Sequence, residues 1–169
     1  MPDFPLRTEY TIGSFDIGCN TVFDLLNNLD PNKSSGCDMV HSFVLKHTAR
    51  SMSIPLTILF KLSLHSDSIP SHWSLANITP LHKNGSRSDP SNYRPISLTS
   101  VTCKLMEKLV KQALFNHLFS HNLLSSKQHG FLNNKACVTN LLECSDFLTK
   151  NYADKLSTEL ALLDFLKAP

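Results

Sequence analysis

"TPLHKNGSRSDPSNYRPISL", residues 79–98, places two short extended arms on either side of a loop rich in Gly, Ser, Asp and Pro. Asn84-Gly85 is a strong turn signal, although the loop is longer than the two residues of a tight hairpin. Pro80 and Pro95 have no N–H to give to a sheet ladder, so both arms read as edge strands or partly irregular ones. The expectation is an irregular hairpin over 76–98. Lys83 and Arg94 stand one on each arm. Two fixed cations so placed either grip an anion or keep an unpaired strand edge soluble, and Arg87 in the loop fits the second reading.

Working outward, the chain on both sides of the hairpin is helical in pattern. "TVFDLLNNLD" carries apolar residues at Val22, Leu25, Leu26 and Leu29, the spacing of a short amphipathic helix. Pro31 and Gly36 then make residues 31–38 a loop. Helices are expected near 39–50 and 54–65, with "DSIPSHW" ending that block at Pro70. Residues 101–120 give the clearest helix. Leu105, Leu109, Ala113 and Met106, Val110, Leu114 form its apolar stripe, and Lys104, Lys108, Lys111 and Gln112 lie opposite. After a loop around Gly130, a further helix is expected over about 136–149. "STELALLDFLKAP" remains open, because a short apolar run cannot be typed by periodicity. The fold class is therefore α+β and helix-rich.

The totals exclude several classes. At 169 residues with 18% charged side chains the chain has the composition of a globular domain. No apolar run approaches the ~20 residues of a membrane helix, and the N-terminus lacks the order of a signal peptide. These features lead to the expectation of an intracellular protein, in cytoplasm or nucleus, with no membrane partner. Five cysteines without a CxxC pair argue against a disulfide framework, a disulfide-linked partner and a zinc ribbon. Cys137 and Cys144 fall on one helix face and are expected to be free and buried. His117 and His121 have helical ligand spacing but no third ligand, so a surface or interface pair is expected rather than zinc. Charge is uneven: residues 71–135 hold eight Lys and Arg against two Asp and Glu, while both flanks are mildly acidic. A basic middle is a plausible footprint for a polyanion.

"WSLANITPLHKNG" followed by "NYRPISL" resembles the reverse transcriptases of non-LTR retrotransposons, which are RNA-directed DNA polymerases. The similarity continues in order through "CKLMEKLV", "QHGF", "TNLL" and "LLDFLKA", and upstream through "LDPNKSSGCD" and "IPSHW". It spans residues 29–168. Any one motif is weak; their co-linearity is what carries the resemblance. It implies a right-hand polymerase, with an N-terminal helical segment over 1–75, fingers over 76–155 and a first palm strand over 156–169. In that fold Lys83 and Arg94 match the cations that clamp the triphosphate of an incoming deoxynucleotide. Arg grips phosphate oxygens with a planar fork and Lys supplies a mobile point charge. Asp164 matches the catalytic carboxylate that ligates magnesium, with the backbone carbonyl of Phe165 as a further ligand. An ordinary strand-end or capping Asp is the alternative. Gln128, Gly130 and Lys135 match a template path, and for Gly130 backbone freedom is the alternative reason for its place in the loop.

The same resemblance defines what is missing. Two-metal chemistry needs further carboxylates to hold ions ~4 Å apart, and the family's Ala-Asp-Asp turn does not occur in these residues. Pro169 stands where an aromatic residue would exclude a ribose 2'-hydroxyl, and Leu132 where a basic residue follows "GF". The expectation is a fragment, fingers plus the start of a palm truncated at the first Asp motif, and inactive alone. Magnesium, RNA template, DNA primer and deoxynucleoside triphosphate belong to the intact family, and stable magnesium binding by the fragment is not expected. A noncatalytic RNA- or DNA-binding module using the basic middle, and a decayed transposon remnant, stay open as alternatives.

Overall fold

Gly18, in extended conformation, leads into the first helix, α1 (Cys19–Asn27), whose Val22 and Leu26 are fully buried one turn apart. The computed structural model describes residues 8–13 and 15–163. These fall into two units, one running to His121 and the other starting at Asn122.

In the first unit, α2 (Ser42–His47) is capped by the His41 ring, which accepts the Phe43 N–H. Lys46 reaches back from α2 to the Leu29 carbonyl just past α1. The third helix, α3 (Ala49–His65), corrects the expected break between two helices: the break falls at Thr48, and Pro55 lies inside α3. A mid-helix proline costs about 3 kcal/mol. Here Ala49, Ser53, Leu56 and Phe60 form one buried stripe that runs straight through it. Burying Leu56 and Phe60 alone recovers roughly 1.5–3 kcal/mol each. Pro55 and Ser51, whose carbonyl loses its helix partner, are both exposed. After a single 3₁₀ turn at Ser71–Ser74, Trp73 packs on Phe60 with ring centroids 5.7 Å apart.

Strands β1 (Ala76–His82) and β2 (Tyr93–Thr99) pair antiparallel, with Pro80 opposite Pro95 and Leu81 opposite Arg94. The hairpin expected over 76–98 is regular in its ladder and irregular in its loop. Lys83 N–H donates to the Asn92 carbonyl at 2.8 Å, extending the ladder by a rung. Counting back by alternation, Pro80 and Pro95 meet at a non-hydrogen-bonded rung, where an N–H would point away from the partner strand. Neither proline therefore breaks a ladder bond, and together they blunt both edges.

Helix α4 (Val101–Ser120) starts at the fully buried Ser100, whose Oγ accepts the Cys103 N–H at 3.1 Å. Leu105, Met106 and Leu109 enter the core. The apolar stripe does not stay buried to its end, since Val110 and Leu114 are open to solvent. Burial and then the neighbouring Glu107 push the Cys103 thiol up to about 11. The loop after α1 returns to this junction: Gly36 is buried against the backbone of Thr99 and Ser100.

The second unit contains α5 (Cys137–Ala153), which ends four residues beyond the expected 149 and has no buried residue of its own. Cys137 is exposed and Cys144 half-buried, which corrects the expectation of two buried thiols. Residues 156–163, the described part of the segment read as a palm strand, form no strand and are exposed. Among the described residues, the one sheet is β1–β2, and a strand without a partner leaves its backbone groups unpaired. Asp164 and Phe165 lie outside the described residues.

Candidate functional site

The hairpin register decides which side chains share a face. Residues alternate along each strand, so Leu81, Lys83, Asn92 and Arg94 point one way, while His82 and Tyr93 point the other. The second pair is seen directly as an edge-to-face ring contact at 5.3 Å. Lys83 and Arg94 are diagonal neighbours, a relation that separates Cα atoms by roughly 7–8 Å. Both are exposed. Neither forms an ion pair with a described carboxylate.

The loop between them is built from its own polar groups. Gly85 adopts φ +77°, and a Cβ there would strike the Asn92 side chain at 2.6 Å. The Asn92 amide donates to the Ser86 carbonyl and Tyr93 Oη to that of Arg87. The His82 ring lies 3.2 Å from the Gly85 carbonyl. Asp89, the one acid in the loop, accepts the Ser91 N–H at 2.9 Å. Bonding to Ser91 holds its carboxyl below the usual range. That carboxylate is thus engaged locally, and it forms no ion pair with the cation of either arm. A planar guanidinium and a mobile ammonium on one face can chelate phosphate oxygens.

The second unit holds Gln128, Gly130 and Lys135 in the loop before α5. Gln128 donates its side-chain N–H to the Gly130 carbonyl, and Lys135 Nζ reaches the Ser126 carbonyl at 3.5 Å. The left-handed backbone falls on Phe131, φ +63°, and not on Gly130, which corrects the expectation that Gly130 serves backbone freedom. A Cβ on Gly130 would meet only the Gln128 amide at an ordinary 3.6 Å.

What fastens this loop is a residue that the sequence reading passed over. His129 is 9% exposed, with Nδ1 3.0 Å from Thr139 Oγ1 and Nε2 2.8 Å from Glu143 Oε2. Lys127 bonds the other Glu143 oxygen. Lys127 and then His129 pull the Glu143 carboxyl down to about 2. Thr139 Oγ1 also accepts the Ala136 N–H, closing the start of α5. The available signal was spacing: Thr139 and Glu143 lie four apart and so share one helix face.

Elsewhere His117 and His121 approach with centroids 4.8 Å apart, and Tyr10 stacks on His121 at 4.0 Å. Among the described residues no three Asp, Glu, His or Cys side chains come together to hold a metal ion. The described residues therefore do not by themselves fit magnesium. No described helix is long and apolar enough to cross a membrane.

No protein-family model matches the chain. It is similar to two curated proteins of Drosophila melanogaster. One is described as a probable RNA-directed DNA polymerase from transposon BS, 26% identical over 169 residues, covering 99% of this chain and 17% of that protein. The other is described as a probable RNA-directed DNA polymerase from transposon X-element, 26% identical over 148 residues, covering 87% of this chain and 16% of that protein. The chain thus spans about a sixth of the length of these relatives. The similarity along nearly the whole chain supports the reverse transcriptase relationship read from the motifs.

Proposed function

We propose, from this relationship to transposon RNA-directed DNA polymerases, that the chain is the fingers portion of such an enzyme and that its hairpin binds the triphosphate of an incoming deoxynucleotide. Lys83 and Arg94 are the binding residues. The observation that supports the reading is their placement on one face of the β1–β2 ladder, with the only loop carboxylate turned to Ser91. RNA template and DNA primer are the partners this reading implies, with Gln128, Gly130 and Lys135 along the template side. Asp164, with the Phe165 carbonyl, is the proposed magnesium ligand. Bound magnesium would supply charge neutralisation at the phosphates during nucleotidyl transfer. The hairpin's own contribution is electrostatic. Each charge-assisted hydrogen bond to a phosphate oxygen is worth about 1.5–3 kcal/mol, and its benefit for catalysis grows as charge develops in transfer.

Calorimetric titration of a deoxynucleoside triphosphate into the 169-residue chain tests the proposal. Arg94→Gln and Lys83→Gln are each expected to weaken binding about tenfold or more, and Arg87→Gln to leave it unchanged. Because all three side chains are exposed, the hairpin should stay folded in each variant. Equal affinities across the three, or no binding by the unaltered chain, would overturn it.

A further inference from the structure

The outward face of α4 carries a pattern that the hairpin does not explain. Lys104, Lys108, Lys111, Phe115 and Phe119 follow at steps of four, three, four and four residues, which places all five within about 80° of arc and along roughly 22 Å of helix. The order is three cations and then two rings. Lys111 Nζ sits 5.4 Å from the Phe115 centroid, and the Phe115 and Phe119 rings are 5.9 Å apart. Phe119 is 54% exposed.

None of the three lysines forms an ion pair with a described carboxylate. At the cationic end the face runs into a cleft of about 390 Å³ where Lys104 and Lys108 are joined by Lys33 from the loop after α1. Asp30 also lines the cleft, with Oδ1 taken by the Asn32 N–H at 3.0 Å. An ordinary solvated helix face accounts for the lysines of α4. It does not account for a fourth cation brought in from another loop, nor for two aromatic rings, Phe115 half-buried and Phe119 exposed, that continue the same line.

We propose that this face of α4, with Lys33, is a track for single-stranded nucleic acid: the lysines take successive phosphates and Phe115 and Phe119 stack bases. Cations that follow a backbone, together with rings that accept any base, are the two components of sequence-tolerant single-strand binding. The choice of partner rests on the polymerase reading above, while the residues are distinct from Lys83 and Arg94.

Fluorescence anisotropy of a labelled single-stranded RNA with the 169-residue chain, over a range of salt, tests it. Binding should weaken with salt. The variant Lys104→Gln, Lys108→Gln, Lys111→Gln should lower the slope of log affinity against log salt by about 2. Phe119→Ala should weaken binding about tenfold and leave the slope unchanged. Circular dichroism should show both variants folded, since these side chains lie outside the core. Lys83→Gln with Arg94→Gln should bind RNA as the unaltered chain does. No RNA binding, an unchanged slope in the lysine variant, an unaffected Phe119→Ala, or equal affinity for duplex RNA would overturn the proposal. RNA binding on α4 without triphosphate binding would overturn the hairpin reading alone, and the reverse result the track alone.

Discussion

Gly36→Ala is the sharpest test of how the hairpin is held to the first unit. A Cβ on Gly36 would lie 2.5 Å from the Thr99 carbonyl oxygen and 2.6 Å from Ser100 N and Cα. All three are backbone atoms, so no rotamer change can relieve the contact. Reaching an ordinary separation of 3.4 Å requires the loop after α1 to part from the end of β2 by roughly 1 Å. That seam contains the buried cap of α4 and the start of its core face. Overpacking of this kind costs about 1–3 kcal/mol. A loss near 2 kcal/mol lowers the melting temperature of a chain this size by roughly 4–8 °C. The assay is thermal unfolding followed by circular dichroism, with Gly13→Ala as the control, because nothing lies within 4 Å of a Cβ there. Gly36→Ala melting within a degree of the unaltered chain would refute the packing argument and, with it, the account of how β2 is anchored.

Two further expectations follow from individual hydrogen bonds. Ser100→Ala removes the acceptor of the Cys103 N–H and should cost about 1 kcal/mol in the same melt. For Glu143, the folded carboxyl sits near 2 against an ordinary 4.5, so the folded unit binds fewer protons than the unfolded chain in that interval. Its stabilising effect is complete above about pH 4.5 and is lost as pH falls toward 2. Amide protection in α5, taken relative to the intrinsic exchange rate at each pH, should therefore fall across that window in the unaltered chain. Glu143→Gln should exchange faster at neutral pH and lack the Glu143-dependent part of the acid response; an identical acid profile in the two would refute the role given to this carboxylate.

How far the sequence could be read depended on the range of the forces involved. The hairpin was legible because its signals are local: Asn84-Gly85 turns the chain, and paired prolines mark edges wherever they stand. The inner bonding of the loop was not. It depends on the Asn92 amide folding back to the Ser86 carbonyl, which composition does not specify. The break expected between 50 and 54 was misplaced because the buried stripe Ala49, Ser53, Leu56 and Phe60, which makes α3 one helix, is a tertiary feature. Gly36 looked like a loop breaker, and its contact partner Ser100 is far along the chain. His129 carries no local signal of its role, since its burial depends on Thr139 and Glu143 of α5.

The same distinction explains why the candidate site was partly visible in advance. That Lys83 and Arg94 belong together needs only a period of two and one correct register, and an error of one residue would send them to opposite faces. The Lys83 N–H to Asn92 carbonyl bond fixes that register, and the ring contact between His82 and Tyr93 checks it independently on the other face. Two observations on opposite faces of one ladder therefore constrain the same alignment. If Lys83 and Arg94 prove to act separately on a triphosphate, the cause must lie in their side chains or the ligand, because the backbone beneath them leaves no second arrangement with both features intact.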